Sequence, residues 1–485
     1  MSLLLRNARL LGADAADILL SDGLVAAVGV GLSADESIDV GGRFVLPGLW
    51  DEHVHLSQHA LMSRRVDLSH ATSAAQAASI MSDAVASQED LGVPVVGFGF
   101  RDGLWPDVPT VALLDDSVGA RPVVLVSGDL HCCWLNSAAL EAFGLDAHSA
   151  GILREDGAFP VTAALRDVPD DVLDAWVADA AAAAARRGVV GVVEFEMADN
   201  LASWQRRFGA GFDTLRVAAG VYTSHLDAAI RAGHRTGQSI GATGGLLTVG
   251  PYKVLIDGSL NTRTAYCVDE YPGLEGQPDS RGLLTVSPEE LVRLLREASA
   301  AGFVPAVHAI GDEANRLALD AFETVGYGGR IEHAQLVLPA DLARFAALGV
   351  TASVQPEHAL DDRDVADRYW RGRTGRAFAL RSLLDAGADV ALGSDAPVAP
   401  LDPWVTIAAA VTRRRDGREP WHPEQAITIR EALSASARGR SRVSVGEVAD
   451  LTIVDVDPLT ASPETLRRMP VSATLVAGRF THLAI

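Results

Sequence analysis

Short apolar runs rich in Val, Ile and Leu alternate along the middle of this chain with longer stretches whose apolar positions recur every three to four residues. The runs fall at 49–56 (LWDEHVHL), 189–196 (VVGVVEFE), 214–222 (TLRVAAGVY), 252–257 (YKVLID), 303–310 (FVPAVHAI), 329–335 (GRIEHAQ), 350–356 (VTASVQP) and 389–397 (DVALGSDAP). Each reads as a strand buried on both faces. Helices are legible between them. In SPEELVRLLREASAAG the spacing of Ser287 and Glu290 predicts a capping box and Gly302 a stop, and DDVLDAWVADAAAAAARRG stops at Gly188. Alternation of this kind predicts an α/β fold with a parallel sheet, and eight strands closed by crossover helices predict a TIM-type (β/α)8 barrel with its chemistry at the carboxyl ends of the strands.

The two ends of the chain read differently. LLLRNARLL, ADILLSDGLVAAVG and SIDVGGRFVLPG near the start, and EVADLTIVDVD and SATLVAGRFTHLAI near the finish, are short strand patterns broken by turns. Neither set has enough apolar surface to stand alone, so 1–46 and 443–485 are expected to pair into one composite β-domain beside a barrel spanning 47–442. The interval 57–188 between the first two strands is far longer than a βα connection and predicts an inserted subdomain, with its own strand-like runs VPVVGFGF and RPVVLVSG and a lid or substrate-recognition role.

Composition narrows the partners. Of 485 residues 48% are hydrophobic and 21% charged, an ordinary globular balance, and the net charge is −22 with no basic patch. Nucleic acid and anionic membrane surfaces are excluded as partners on that ground, leaving a small-molecule substrate. The start lacks a charged segment followed by an uninterrupted apolar one, and no run reaches the roughly 18 apolar residues of a membrane span, so a cytoplasmic protein is expected. The assembly is left open, a homodimer being one form it allows. Cys132, Cys133 and Cys267 cannot build a disulfide framework and read as small buried side chains.

Candidate chemistry begins with a count. The chain has 40 arginines and one lysine, Lys253. A buried amine can lose its proton and react where a guanidinium cannot, so the exception marks either amine chemistry or an arginine-biased composition. His53 and His55 stand two apart on the first strand, a spacing that lets both reach one metal. Lys253 lies on the fourth strand, His308 near the end of the fifth, His333 on the sixth and Asp395 at the end of the eighth. Any one histidine alone reads as a hydrogen-bonded core residue, and Asp395 alone as a helix cap. Polar groups on five apolar strands of one barrel instead point to mutual satisfaction around a cation. His59, His70, His148, His225, His234, His422 and His482 read as solvated.

Those residues sit in stretches that resemble the amidohydrolase superfamily, in its YtcJ-like branch. The matching stretches are VLPGLWDEHVHL, RPVVLVSGDLHCCWLNSAAL, YKVLIDGSLNTRTA, VHAIGDEANRLALDAFE, RIEHAQLVLPADLARFAALGVTASVQPEHA, LRSLLDAGADVALGSDAPVAPLDP and GEVADLTIVDVDPL, together covering about 40–460. The resemblance implies a (β/α)8 barrel with a composite terminal β-sandwich domain, and one or two divalent metals, zinc first among them. It implies His53 and His55 as ligands of the more buried metal, Lys253 as a CO2-derived carbamate bridging two metals, His308 and His333 on the second, and Asp395 as both ligand and proton carrier. The activity implied is hydrolysis of a non-peptide C–N bond in a small molecule by a metal-activated hydroxide. Arg101, Trp105, His131 and Arg263 are the candidates for substrate contact. Ester or lactone hydrolysis on the same metals stays open, as does a non-catalytic metal-binding regulator. A deaminase is disfavoured, because its expected glutamate three residues past the strand-five histidine is here Gly311.

Overall fold

The computed structural model describes residues 2–12, 15–88, 94–130, 132–145, 151–154, 157–165 and 168–485. Eight parallel strands form its centre: β1 (Leu49–Val54), β2 (Val189–Glu194), β3 (Arg216–Tyr222), β4 (Leu247–Leu255), β5 (Pro305–Ala309), β6 (Gly329–His333), β7 (Val350–Val354) and β8 (Val390–Leu392). They pair in sequence order from β2 to β8, with β1 beside β2. The circle is closed just beyond β8, where the Asp395 amide donates to the His53 carbonyl (2.8 Å) and the His55 amide to the Ala396 carbonyl (2.8 Å). This is the (β/α)8 barrel that the alternating pattern predicts.

Two strands depart from the expected limits. β4 begins at Leu247 rather than near 252, because Leu247, Thr248 and Val249 already pair with β3 and the Gly250–Pro251 step continues the strand instead of breaking it. Gly250 is needed there, since a Cβ would lie 2.7 Å from the Ala219 carbonyl carbon and the Gly220 nitrogen of β3. β8 is only Val390–Leu392, and the GSDAP that follows is loop. The helix Pro288–Ala300 has half of its expected capping box: Ser287 Oγ accepts from the Glu290 amide at 3.2 Å, but the Glu290 carboxylate turns to Arg293 (2.7 Å).

Strands from both ends of the chain share one sheet. Its order is Arg479–Leu483, Val471–Val476, Leu451–Val454, Phe44–Pro47, Ser2–Leu10, Ala15–Ser21 and Leu24–Gly29, with Glu36–Asp39 also on Ser2–Leu10. The seam is antiparallel, Leu451 to Pro47 through Val454 to Phe44. Its apolar face buries Leu5, Ile18, Val25, Val45, Leu451, Ile453 and Leu475. Thr452 and Thr474 hydroxyls fix it to the turn before β2 by donating to the Gly188 and Ala185 carbonyls (2.8 and 2.7 Å).

Residues 57–177 form a second compact unit. It is built on a five-stranded sheet ordered Ile152–Arg154, Cys132–Leu135, Val123–Ser127, Val95–Phe100 and Val66–Asp67. Cys132, Trp134, Phe100, Leu114 and Met81 are among its core. The three cysteines are free and buried, and burial pushes the Cys133 thiol up to about 12, so they act as apolar packing.

Candidate metal centre at the barrel mouth

The pairing of β1 with β2 shifts register between Asp51/Val192 and Val54/Glu194, so Glu52 and His53 oppose the single residue Val193. Bulges of this type re-aim side chains next to functional sites. Here the bulge sets His53 within the barrel, 1% exposed, while His55 follows one residue past the strand end. Asp395 meets both: its Oδ1 lies 3.5 Å from His53 Nε2 and 3.3 Å from His55 Nε2. Its other oxygen, Oδ2, is 4.0 Å from His358 Nε2. Ligand atoms of His53, His55 and Asp395 lie within 4.8 Å of one another, and so do those of His333, His358 and Asp395. Asp395 is common to both trios. His333 and Asp395 have φ of +75° and +58°, a left-handed backbone that non-glycine residues adopt rarely and that clusters at functional sites.

His358 was not among the residues the sequence pointed to. It opens the one-turn helix His358–Asp361, four residues beyond the end of β7, and is 6% exposed. The signal that could have found it is its place just beyond a barrel strand, at the end where the site is built.

Lys253, on β4, is 2% exposed, and its Nζ has no hydrogen-bond partner among the described residues. The amine sits 4.5 Å from the centre of the Phe195 ring, which meets the His53 ring in a T-shaped contact with centroids 4.8 Å apart. His308 lies outside both trios. Asp257 Oδ1 holds its Nδ1 at 3.0 Å, and its ring is 4.5 Å from that of His333.

The electrostatics keep two of the imidazoles, His53 and His333, neutral, as a cation requires. Burial, aided by the Lys253 charge, pushes His53 down to about 4, and burial with the neighbouring His308 holds His333 well below its ordinary value. His55 moves the other way: burial opposes its charge, but the hydrogen bond and charge of Asp395 raise it. Burial alone would raise Asp395, yet His53, His55 and His333 hold its carboxyl well below the usual range. Burial pulls Lys253 down to about 8 against the attraction of Glu332 and Asp395. A cation fits this set. His55 Nδ1, His333 Nδ1, His358 Nε2 and Lys253 Nζ are buried polar atoms with no hydrogen-bond partner among the described residues, and unpaired buried polar groups are otherwise costly.

Beneath the site runs a line of ion pairs. His53 Nδ1 contacts Glu332 Oε2 (2.7 Å), Glu332 Oε1 accepts from Arg330 Nε (2.9 Å), and Arg330 Nη1 donates to Glu52 Oε2 (2.6 Å). Glu52 Oε1 accepts in turn from Arg438 Nε (2.7 Å), and the Arg438 guanidinium stacks 3.3 Å over the Trp50 ring. Carboxylates behind metal-facing imidazoles fix tautomer and orientation.

The remaining expected site residues are placed as follows. Arg263, half-buried and at φ +60°, sets its guanidinium 5.4 Å over the Tyr369 ring. In the 57–177 unit, Trp105 Nε1 donates to the Ala71 carbonyl (3.1 Å) and its ring packs 5.6 Å from Phe100, while Arg101 is exposed. His131 and His148 lie outside the described residues. Of the other histidines read as solvated, His70 is exposed, but His59, His225, His234, His422 and His482 are half-buried, and burial pushes His59 down to about 4. The helix, strand or turn around each covers more of the ring than polar neighbours in the sequence imply.

Imidazoles and a shared carboxylate at the carboxyl ends of barrel strands define a hydrolase-type site on a (β/α)8 scaffold. The chain belongs to the amidohydrolase family, which residues 36–482 match. It is 27% identical to YtcJ of Bacillus subtilis, over 92% of this chain and 90% of that one. It is also 27% identical to the N-substituted formamide deformylase of Arthrobacter pascens, over 95% and 94%. Among solved structures it is similar to a metal-dependent hydrolase of Pyrococcus horikoshii, with a TM-score of 0.79 at 27% identity, covering 96% of this chain and 99% of that one. No helix among the described residues is long and apolar enough to cross a membrane.

Proposed function

We propose that this protein hydrolyses an amide-type, non-peptide C–N bond of a small molecule. The observation that carries the reading is the pair of donor trios sharing Asp395, with the buried amine of Lys253 on β4 of the same barrel, which has no hydrogen-bond partner among the described residues. His53, His55 and Asp395 would hold one divalent ion, and His333, His358 and Asp395 a second, with His308 beside His333 and Lys253 as a carbamate between them. Imidazole and oxygen donors suit zinc. Such ions supply Lewis acidity, lowering the pKa of water and polarising the substrate carbonyl.

The chain's own groups do the rest. Asp395, kept ionised by its imidazole neighbours, accepts the proton of the attacking water and delivers it to the leaving nitrogen. Glu332 fixes the His53 ring, and Asp257 the His308 ring, so that neither reorients during turnover. Arg263, at the loop after β4, is our candidate for holding the substrate.

Deamination is the weaker reading. A Cβ at Gly311 would lie 2.0 Å from the Tyr266 carbonyl oxygen, so no glutamate fits there without moving that loop. The test is metal analysis with and without a chelator, followed by assay on N-substituted formamides and aryl amides. Metal-dependent turnover of an amide supports the proposal. Full metal loading with turnover of esters or lactones alone, or of nothing, overturns it.

A further inference from the structure

A cleft of about 650 Å³ runs along the helix Pro403–Thr412, outside the barrel interior. Five arginines line it, Arg187, Arg414, Arg415, Arg467 and Arg468, against three acids. The chain as a whole has 41 basic and 63 acidic residues, so this wall reverses the prevailing sign. Three of the guanidiniums are held in place. Arg187 Nε pairs with Asp402 (2.7 Å) and its Nη1 donates to the Met469 carbonyl (2.9 Å). Arg415 and Arg467 both grip Glu357, 1% exposed, Arg415 Nη1 at 2.7 Å and Arg467 Nη1 at 2.9 Å. The other two differ. The side chains of Arg414 and Arg468 have no hydrogen bond or ion pair among the described residues.

We propose that this cleft binds a small organic oxyanion, a phosphate ester or a polycarboxylate. Guanidinium forks match such oxygens two at a time and desolvate more readily than ammonium groups. Arg414 and Arg468 supply the uncommitted donors and charge, while Arg187, Arg415 and Arg467, whose charges are met by Asp402, Asp361 and Glu357, shape the wall without having to be ordered on binding. Val405, Ala408 and Pro463 give the cleft an apolar side for the carbon part of the ligand. The volume falls in the range of small-molecule sites. None of the donors of the metal centre lines the cleft; Glu357, which anchors Arg415 and Arg467 behind it, directly precedes His358. The proposal stands apart from the hydrolytic reading.

The test is isothermal titration of the metal-loaded protein with inorganic phosphate and, separately, with propane-1,2,3-tricarboxylate, at ionic strength matched with chloride. The R414Q/R468Q double variant is titrated in parallel, with melting temperature and metal content as controls. Saturable binding to the native protein is expected, weakened roughly tenfold or more in the variant, the loss from one or two charge-assisted hydrogen bonds. The tighter anion identifies the ligand class. Absence of saturable binding, or equal affinity in the variant with both controls unchanged, overturns the proposal, the latter because the anion then sits elsewhere.

Discussion

Glu332 Oε2 lies 2.7 Å from His53 Nδ1, both side chains being almost wholly buried, and this contact ties an imidazole of the site to a row of charges that crosses the barrel. Arg330, the hydrogen bond from His53 and the charges of His53 and Lys253 outweigh burial and keep the Glu332 carboxyl ionised, so His53 donates from Nδ1 and leaves Nε2 for a cation. Glu332→Gln should weaken metal retention about 10- to 100-fold, the usual effect of removing such a partner. Competition with a chromophoric chelator measures it. Unchanged affinity would show that His53 is oriented by packing alone.

Lys253 is expected to react with CO2 only as the free amine. With burial lowering it to about 8, about a quarter is neutral at pH 7.5, against roughly one part in a thousand for an ordinary lysine. Metal uptake by the metal-free protein at fixed CO2 should therefore rise between about pH 7 and 9 and level off above that. Lys253→Arg should remove this pH dependence and one metal equivalent while the barrel stays folded by circular dichroism. Native metal content in that variant would eliminate the carbamate.

Asp395→Asn keeps the shape of the carboxylate but cannot take a proton. We expect kcat to fall by about 10²- to 10⁴-fold with an unchanged far-ultraviolet spectrum. Because both trios use Asp395, metal content should be measured in the same samples. Full turnover would remove it as proton carrier.

His358→Gln should halve the metal stoichiometry of a two-metal protein, since only the trio with His333 uses it. Elemental analysis after gel filtration reads this directly, and two equivalents in the variant would exclude His358 as a ligand.

Glu52 gives a stability prediction. Burial would raise its pKa, but Arg438 and Arg330 bring it below the ordinary value of 4.5. A carboxyl depressed in the folded state stabilises the protein above its unfolded value, and that contribution is lost as pH falls through the folded one. The stability gap between the native protein and Glu52→Gln should thus be largest near neutrality and shrink below about pH 4.5, as followed by urea midpoints across a pH series. A gap independent of pH would mean that the loss is steric.

The barrel was legible because β-branched apolar runs separated by capped helices leave few alternatives, and the His53, His55, His333 and Asp395 positions followed from polar groups on those strands. What escaped detection lies off the strands or depends on partners. His358 sits in a turn of helix after Gln-Pro-Glu, where no periodicity draws attention to it. The Arg330–Glu52 pair has no signature in the sequence, since only the closed barrel brings residues 278 apart in sequence to 2.6 Å. The start of β4 before residue 252 escaped because the crowding that calls for glycine at 250 comes from β3.

The sheet that joins Phe44–Pro47 to Leu451–Val454 carries a cost in time. During synthesis the early strands emerge with an unsatisfied edge and must wait for about four hundred intervening residues before their neighbours exist, an arrangement of high contact order that slows assembly. Until then the edge of Phe44–Pro47 is open to other chains, so yield of soluble protein should depend on chaperone supply and on slow, cool expression more than the stability of the finished molecule would suggest.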